Sequence, residues 1–356
     1  MISNPLFFIG FMALILLMLL IDQGLFHRKD HVIGLKEAAI WTIVWIATAL
    51  LFSLLILFKA EWVHGIHDMD ELLQYIKGSS LEQRISSGMD YGAALNIYRH
   101  EMFTQYLAGY LLEESLSIDN IFVMIMIFAS FGIDKKYYHR VLFWGVTGAI
   151  VLRFIFIFAL GELVTRFSWI LAVFGVILIY SGIKMALKKD DETIDTAKHP
   201  MVRFASKYFR ATPNSDGHNF FTKIDGKRFM TPLFIVLLVI EFSDVIFAVD
   251  SIPAVFSVTT DAMIVYTSNM FAIMGLRSLF FLMDGIADKF WCLKYGLGLL
   301  LTFIGVKMIG HEFLHWEIST LTSLLVILGV LVGSIALSLV IPNKTSVKFD
   351  EASNDK

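Results

Sequence analysis

The chain has 356 residues, of which 57% are hydrophobic and 17% charged, and its formal net charge is −3 at pH 7. With a mean hydropathy of +0.70, this composition excludes an ordinary soluble domain and a disordered chain, and it predicts an integral membrane protein. Cys292 is the only cysteine, which excludes a disulfide framework and a cysteine metal cluster. The net charge itself indicates no partner, because membrane proteins concentrate their charges in loops, and no nucleic acid is expected to bind.

The hydropathy pattern predicts an all-α polytopic membrane protein. Windows of about 20 apolar residues indicate nine spans. They lie near residues 5–21, 38–58, 104–131, 139–160, 167–187, 232–257, 261–283, 291–310 and 319–341. Two of them, 104–131 and 232–257, are longer than a bilayer requires, which predicts tilt, a kink or a broken helix. Pro253 gives a reason for a kink in the second.

The loops between the spans differ in charge. Lys and Arg cluster after the first, third and fifth spans and in the tail, whereas 258–260 carries neither and 161–166 carries only Arg166. Because positively charged loops stay in the cytoplasm, this alternation predicts an inner (plasma) membrane protein with its N-terminus outside and its C-terminus inside. The first span follows no Lys or Arg and precedes no small-residue cleavage site, so we expect a retained helix rather than a signal peptide.

Two parts of the chain repeat each other. The matching motifs occur in one order with offsets of 125, 124 and 123 residues, and they are Asp119-Asn-Ile-Phe with Asp244-Val-Ile-Phe, Leu152-Arg153-x-x-Phe with Leu276-Arg277-x-x-Phe, and Gly175-x6-Gly182-Ile-Lys-Met with Gly298-x6-Gly305-Val-Lys-Met. Each unit holds three spans, an odd number, so the second unit must cross the membrane upside down relative to the first. Inverted repeats of this kind are typical of secondary transporters.

The expected organisation follows from the spans and the repeat. It consists of two N-terminal spans with an external loop (1–103), a first three-helix repeat (104–187), a charged cytoplasmic loop (188–231), a second three-helix repeat (232–310), a final span (311–341) and a disordered cytoplasmic tail (342–356).

Acidic residues lie inside the predicted spans, where a carboxylate is costly unless it is paired, hydrated or bound to an ion. The candidate cation ligands are Glu113, Asp119, Asn120, Glu241, Asp244 and Asp250, with supporting hydroxyls from Ser117, Ser243 and Ser251. Carboxylate, amide and hydroxyl oxygens suit hard or borderline divalent cations such as Mn²⁺, Mg²⁺ or Ca²⁺. The alternative is a set of buried acids that neighbouring Arg or hydroxyl groups satisfy.

The spacing of these residues predicts how they share an ion. Glu241 and Asp244 are three residues apart and share one helix face. Glu113 and Asp119 are six apart, about 240° around an unbroken helix, so both reach one ion only if the helix is interrupted, and otherwise they serve different sites. The repeat places Asp119 and Asp244 symmetrically, which predicts one ion shared between them with Asn120 as a neutral ligand.

Two arginines, Arg153 and Arg277, also lie within predicted spans. In one interpretation they compensate the acids when no cation is bound and so act in gating. In the other they form permanent ion pairs or extend to the interface.

Two further motifs contain residue types that bind metals outside the candidate cation site. His311-Glu312-Phe-Leu-His315 fits the H-E-x-x-H pattern of zinc proteases, but it lies in a short connection at the end of a span, and the pattern is short enough to arise by chance. His64-x-x-His67-Asp68-Met-Asp70-Glu71 would attract a metal weakly, and a solvated acidic loop is the better interpretation.

Several longer stretches resemble the TerC/Alx family of bacterial integral membrane proteins. They are E-x-S-L-S-x-D-N in the third span, E-F-S-D-V-I-F-A-V-D-S-I-P-A in the sixth, T-S-N-x-F-A-I-x-G-L-R at 267–277 and L-K-Y-G-L at 293–297. The family is named for tellurium resistance, its members are associated with manganese export and pH response, and it is grouped with a wider superfamily of exporters. The resemblance spans about residues 36–341 and implies that the six candidate ligands are the pathway residues, with Glu113 rather than Glu114 at the family's glutamate position.

The sequence therefore predicts a transporter, not an enzyme, with no prosthetic group. It would export a divalent cation, Mn²⁺ above others, by alternating access, and protons are the expected counter-ion because each carboxylate binds either metal or protons. A scaffold or assembly partner that docks membrane proteins through the 188–230 loop is the alternative. Tellurite handling and a membrane zinc protease are lesser alternatives.

Overall fold

A computed structural model of the chain describes residues 4–26, 33–167, 169–187, 219–224, 227–286, 290–314, 316 and 318–341. In these ranges the structure is ten α-helices and one small hairpin. The helices are α1 (Pro5–Phe26), α2 (Leu35–His64), α3 (Met69–Ile76), α4 (Tyr91–Ser130), α5 (Tyr138–Arg166), α6 (Ile170–Leu187), α7 (Pro232–Phe256), α8 (Ala262–Ile286), α9 (Leu293–Leu314) and α10 (Thr320–Val340). Strands β1 (Phe221–Ile224) and β2 (Lys227–Met230) pair antiparallel before α7.

Eight of the described helices, all except α3 and α4, are long and apolar enough to cross a membrane. The chain is therefore an all-α multi-span membrane protein. Nine spans were predicted, and the one not among these eight is the third, 104–131. It corresponds to α4, where Glu113, Glu114 and Asp119 interrupt the apolar run. Helix α4 nevertheless packs against α2, α7, α8 and α10, so it lies among the spanning helices.

The helices extend beyond the apolar windows where capping residues allow it. Helix α4 begins at Tyr91, after Asp90 accepts a hydrogen bond from the Ala93 amide, so the predicted boundary at 104 falls inside a helix. Helix α2 continues to His64 and ends at Gly65, whose φ of +67° favours glycine. Hydropathy locates the apolar part of a helix, whereas these caps set its ends.

The predicted break in 232–257 is not observed. Helix α7 continues through Pro253 to Phe256, because the proline lies near the C-terminal end. A non-helical residue does occur in α2, at Lys59 (φ −147°, ψ 36°). Most of the predicted cytoplasmic loop (188–218 and 225–226) and the tail from 342 onward lie outside the described residues.

The packing of α4–α6 and α7–α9 has the relationship expected of inverted units. Helix α4 packs on α8 as α7 packs on α5, and α6 runs along α9. A Cβ on Gly175 would lie 2.8 Å from the Gly305 carbonyl oxygen, and one on Gly298 would lie 2.7 Å from the Gly182 carbonyl oxygen. The repeat exchanges these two contacts, because it relates Gly175 to Gly298 and Gly182 to Gly305. The four glycines let α6 and α9 meet backbone to backbone.

Candidate functional site

A cavity of about 40 Å³ lies between α4, α5, α6, α7 and α9. Roughly 10–15 Å³ holds one water, so the cavity has room for a cation with one or two waters. Seven of the eleven lining residues are polar or charged, and the full set is Glu113, Leu116, Ser117, Asp119, Asn120, Arg153, Met185, Phe247, Asp250, Ser251 and Leu301. Four of the six candidate ligands, Glu113, Asp119, Asn120 and Asp250, and two of the three predicted hydroxyls therefore meet at one place.

Several buried oxygen atoms among the lining residues have no hydrogen-bond partner in the part of the chain that is described. They are Glu113 Oε2, Ser117 Oγ, Asn120 Oδ1 and Ser251 Oγ. An unsatisfied buried polar group costs about 1–3 kcal/mol. Four such oxygen atoms in residues around one cavity therefore indicate a site that a bound ligand would stabilise. Carboxylate and amide oxygens are acceptors, and a cation is the ligand that satisfies such a set at once.

Arg153 of α5 is the positive charge at this site, and its side chain is 1% exposed. Its Nη1 group donates to a Glu113 carboxylate oxygen and, at 2.8 Å, to Asn269 Oδ1 of α8. Its Nη2 atom lies 3.5 Å from Asp244 Oδ1. The guanidinium thus pairs with one acid from each repeat, an arrangement compatible with charge compensation at an empty site and with a permanent ion pair, and it does not extend to the interface.

Asp244 lies beside the cavity and is held by its neighbours. Its Oδ1 atom accepts a hydrogen bond of 3.2 Å from Asn120 Nδ2, while Oδ2 is buried without a hydrogen-bond partner among the described residues. Asn120 therefore connects Asp244 to the cavity wall. The predicted ion shared by Asp119 and Asp244 is compatible with this arrangement, although Asp119 alone of the two lines the cavity.

Asp250 is placed by a residue that the sequence reading did not single out. Ser181 Oγ of α6 donates to Asp250 Oδ1 over 3.1 Å, which connects the third helix of one repeat to the first helix of the other. Ser181 carried no signal of its own in the sequence, since a hydroxyl one residue before a packing glycine is unremarkable within an apolar span.

Glu113 and Asp119 reach the same cavity from an unbroken helix. Helix α4 is continuous from Tyr91 to Ser130, so the interruption that we expected for a shared ion is not observed, and the sharing of one ion by both acids stays a prediction. A separation of about 240° in one direction is about 120° in the other. The two acids therefore border a face of α4 on which Leu116 and Asn120 lie between them, and Ser117 lies on the other side of Glu113.

Two further predicted site residues, both on α7, do not line the cavity. Glu241 faces α5 at Gly148, where a Cβ would be 2.1 Å from Glu241 Oε1. The hydroxyl of Ser243 donates to the Val239 carbonyl of its own helix over 2.8 Å. The shared face of Glu241 and Asp244 therefore points toward α5, and Ser243 stabilises α7 locally.

Arg277 pairs with a residue that the sequence reading missed. Its Nη2 atom lies 2.5 Å from Asp22 Oδ1 and donates to the Asp22 carbonyl over 3.0 Å. Both side chains are buried, so α1 supplies a counter-charge to the second repeat. A lone acid near the end of the first span, outside the repeated region, gave no pattern from which this could be predicted.

Within the described residues, no group of three or more His, Cys, Asp and Glu side chains is arranged to hold a metal. The candidate cation site instead mixes acids with an amide and hydroxyls. His311 and Glu312 lie at the end of α9, and His315 of the zinc-protease pattern lies outside the described residues.

His64 belongs to a buried polar cluster rather than to a solvated loop. Its Nε2 atom lies 2.8 Å from Asp261 Oδ2, its Nδ1 atom contacts the Tyr98 hydroxyl, and Tyr75 donates to the same Asp261 oxygen over 2.5 Å. Burial raises the pKa of Asp261, but the charge and hydrogen bond of His64, together with the hydrogen bonds from Tyr75 and the Ile264 amide, outweigh it and lower the pKa to about 2. This cluster joins the ends of α2 and α3 to the start of α8.

Comparison with known proteins gives one family and a set of bacterial relatives. Residues 98–346 match the family model described as "Integral membrane protein TerC family". The chain is 41% identical over 341 residues (96% of this chain, 94% of the relative) to "Putative membrane-bound redox modulator Alx" of Salmonella typhi. It is 40% identical over 339 residues (95% and 93%) to "Uncharacterized membrane protein STKORF319" of Myxococcus xanthus. It is 34% identical over 333 residues (93% and 97%) to "Uncharacterized membrane protein" of Rickettsia bellii. No solved structure matches the chain.

Proposed function

This chain belongs to the TerC family of integral membrane proteins, and we propose that it is a secondary transporter that exports a divalent metal cation, with Mn²⁺ as its cargo. The observation that carries the proposal is a cavity among membrane helices whose lining residues Glu113, Ser117, Asn120 and Ser251 each carry a buried oxygen without a hydrogen-bond partner in the described part of the chain. Oxygen donors of these types are the ligands that Mn²⁺ takes in proteins.

The binding step is an exchange of positive charge. In the structure Arg153 lies between Glu113 and Asp244. An incoming cation takes over these carboxylates and Asp119 and Asp250 while the guanidinium withdraws, and Arg153 returns when the cation leaves. The exchange avoids uncompensated negative charge in the membrane, which would cost several kcal/mol. Since one acid of the pair comes from each repeat, occupancy of the site is coupled to the relative position of the repeats.

Export needs an energy source. Moving a divalent cation out of an inside-negative cell costs about 4.6 kcal/mol per 100 mV. We propose proton antiport through the same carboxylates, so that each acid carries either metal outward or protons inward. The loop charges support an inner-membrane orientation with the N-terminus outside and the C-terminus inside.

The name of the Salmonella relative refers to redox modulation. In this sequence Cys292 is the only cysteine, so a dithiol pair within the chain cannot carry such an activity. Transport of a metal ion across the membrane requires no dithiol pair. A transport function also gives a role to the cavity.

The test is transport by the purified protein in vesicles that contain a Mn²⁺-sensitive dye and a pH dye. Wild type should move Mn²⁺ down its gradient, whereas Asp119→Asn and Asp250→Asn should reduce the rate at least tenfold. Asp70→Asn is the control, because Asp70 is exposed on α3 and lies outside the cavity lining.

Two outcomes contradict the proposal separately. If wild type moves no divalent cation, or both cavity variants transport like wild type, the transporter proposal is wrong. If Mn²⁺ flux leaves an imposed pH gradient untouched, proton coupling is wrong while metal transport stands.

A further inference from the structure

Among the described residues that line the cavity, Met185 is the one that carries sulfur. The other polar residues of the lining offer oxygen or, at Arg153, nitrogen groups. Oxygen donors bind Mn²⁺, Mg²⁺ and Ca²⁺ alike, so they do not explain how one of these ions would be chosen. A sulfur atom is the group in this set that distinguishes them.

The position of Met185 follows from the close contact between α6 and α9. Gly182 packs against the Gly298 backbone, which fixes α6 beside the cavity. Ser181, the residue before Gly182, donates to Asp250 over 3.1 Å, and Met185 is four residues after Ser181 on the same helix face. Met185 and Asp250 therefore line the same cavity, with Met185 one turn beyond the residue that holds the Asp250 carboxylate.

The chemistry of a thioether separates the two classes of divalent cation. Sulfur is a soft, polarisable donor that prefers the later transition metals; it is a weak ligand for Mn²⁺ and a still poorer one for Mg²⁺ and Ca²⁺, which require oxygen. We propose that Met185 is a specificity-determining residue that favours divalent transition metals over Mg²⁺ and Ca²⁺. This inference rests on the proposed function, and it narrows the substrate class to transition-metal cations.

A second copy of the same motif provides the matched control. The repeat relates Gly182-Ile-Lys-Met185 to Gly305-Val-Lys-Met308, so Met308 is the equivalent residue on α9. Met308 is 4% exposed in the apolar core and does not line the cavity. Met→Leu keeps volume and hydrophobicity at both positions and removes only the sulfur.

The experiment is Mn²⁺ transport into vesicles in the presence of increasing Mg²⁺ or Ca²⁺, with wild type, Met185→Leu and Met308→Leu. In Met185→Leu, the excess of Mg²⁺ or Ca²⁺ that halves Mn²⁺ transport should fall about tenfold relative to wild type. Met308→Leu should keep the wild-type value. A second measurement is the rise in melting temperature that the soft cation Cd²⁺ causes in the detergent-solubilised protein. This rise should be smaller in Met185→Leu than in Met308→Leu.

The outcomes separate this inference from the function on which it rests. If wild type transports Mn²⁺ and Met185→Leu keeps both its selectivity and its response to Cd²⁺, Met185 is a packing residue and the inference is wrong. If wild type transports no divalent cation, the proposed function has failed first.

Discussion

Arg153 of the first repeat lies 3.5 Å from Asp244 of the second while it also pairs with Glu113 of its own repeat. Replacing it by glutamine leaves two buried carboxylates without their counter-charge, which should lower the free energy of unfolding by about 3–5 kcal/mol. Mn²⁺ should then raise the thermal stability of Arg153→Gln more than that of wild type, because the cation replaces the missing charge.

Arg153→Lys keeps the charge and is the control for that experiment. Transport should be slow in Arg153→Gln, since no group returns to the carboxylates after the metal leaves. If Arg153→Gln is as stable as wild type without metal and transports at the same rate, the guanidinium does not take part in the exchange.

Gly148 gives a way to move the Glu241 carboxylate without changing its charge. A Cβ at Gly148 would overlap Glu241 Oε1 at 2.1 Å, so Gly148→Ala should force this flexible side chain to another position. Alanine favours a helix by about 1 kcal/mol over glycine, and the variant should therefore be at least as stable as wild type. If Glu241 is on the pathway, transport should nevertheless fall severalfold.

Gly145→Ala is the matched substitution, because its Cβ would meet Ile240 at an ordinary 3.5 Å. Unchanged transport in both alanine variants would remove Glu241 from the pathway. Reduced transport in Gly148→Ala together with reduced thermal stability would point to helix packing instead.

The contact between α6 and α9 should tolerate no side chain. A Cβ on Gly182 would lie 2.5 Å from the Gly298 carbonyl oxygen, and a backbone atom cannot rotate away. We expect Gly182→Ala and Gly298→Ala each to lower the free energy of unfolding by about 1–3 kcal/mol, as overpacked substitutions do. Gly329→Ala on α10, where a Cβ meets nothing within 4 Å, should not lower the melting temperature and should raise it slightly, because alanine favours a helix over glycine. Equal melting temperatures for all three variants would contradict the packing described.

Asp261 should make stability depend on pH in the acidic range. The folded protein lowers its pKa from 3.8 to about 2, so the ionised carboxylate contributes stability above pH 4, and that contribution is lost as the pH falls toward 2. The difference of about 2 pKa units corresponds to roughly 2–3 kcal/mol. Asp261→Asn should be less stable than wild type by about this amount at pH 6, and the two should converge near pH 2.

Unfolding in detergent at several pH values measures this difference. Asp70→Asn removes an exposed carboxylate from α3 and should show no comparable gap. A gap for Asp261→Asn that stays constant from pH 6 to pH 2 would mean that the lost hydrogen bonds, and not the charge, stabilise the start of α8.

The sequence predicted the helices well, because a bilayer requires long apolar runs that are visible without a structure. It also brought Asp119, Asn120 and Asp250 to one site, since acids within such runs are rare. It did not predict that Glu241 faces α5 or that Met185 lines the cavity. When every face of a helix is apolar, the residue pattern does not indicate which face packs against a neighbouring helix. The orientation of such a helix then depends on tertiary packing.

The buried pair of Asp22 and Arg277 joins residues 255 positions apart in the chain. During synthesis α1 enters the bilayer with its carboxyl group long before α8 is made, so Asp22 lacks its partner while the first repeat is inserted. We expect α1 to remain loosely associated, or in contact with the insertion machinery, until the second repeat arrives. The order of translation therefore makes the first helix of the chain one of the last to reach its final place.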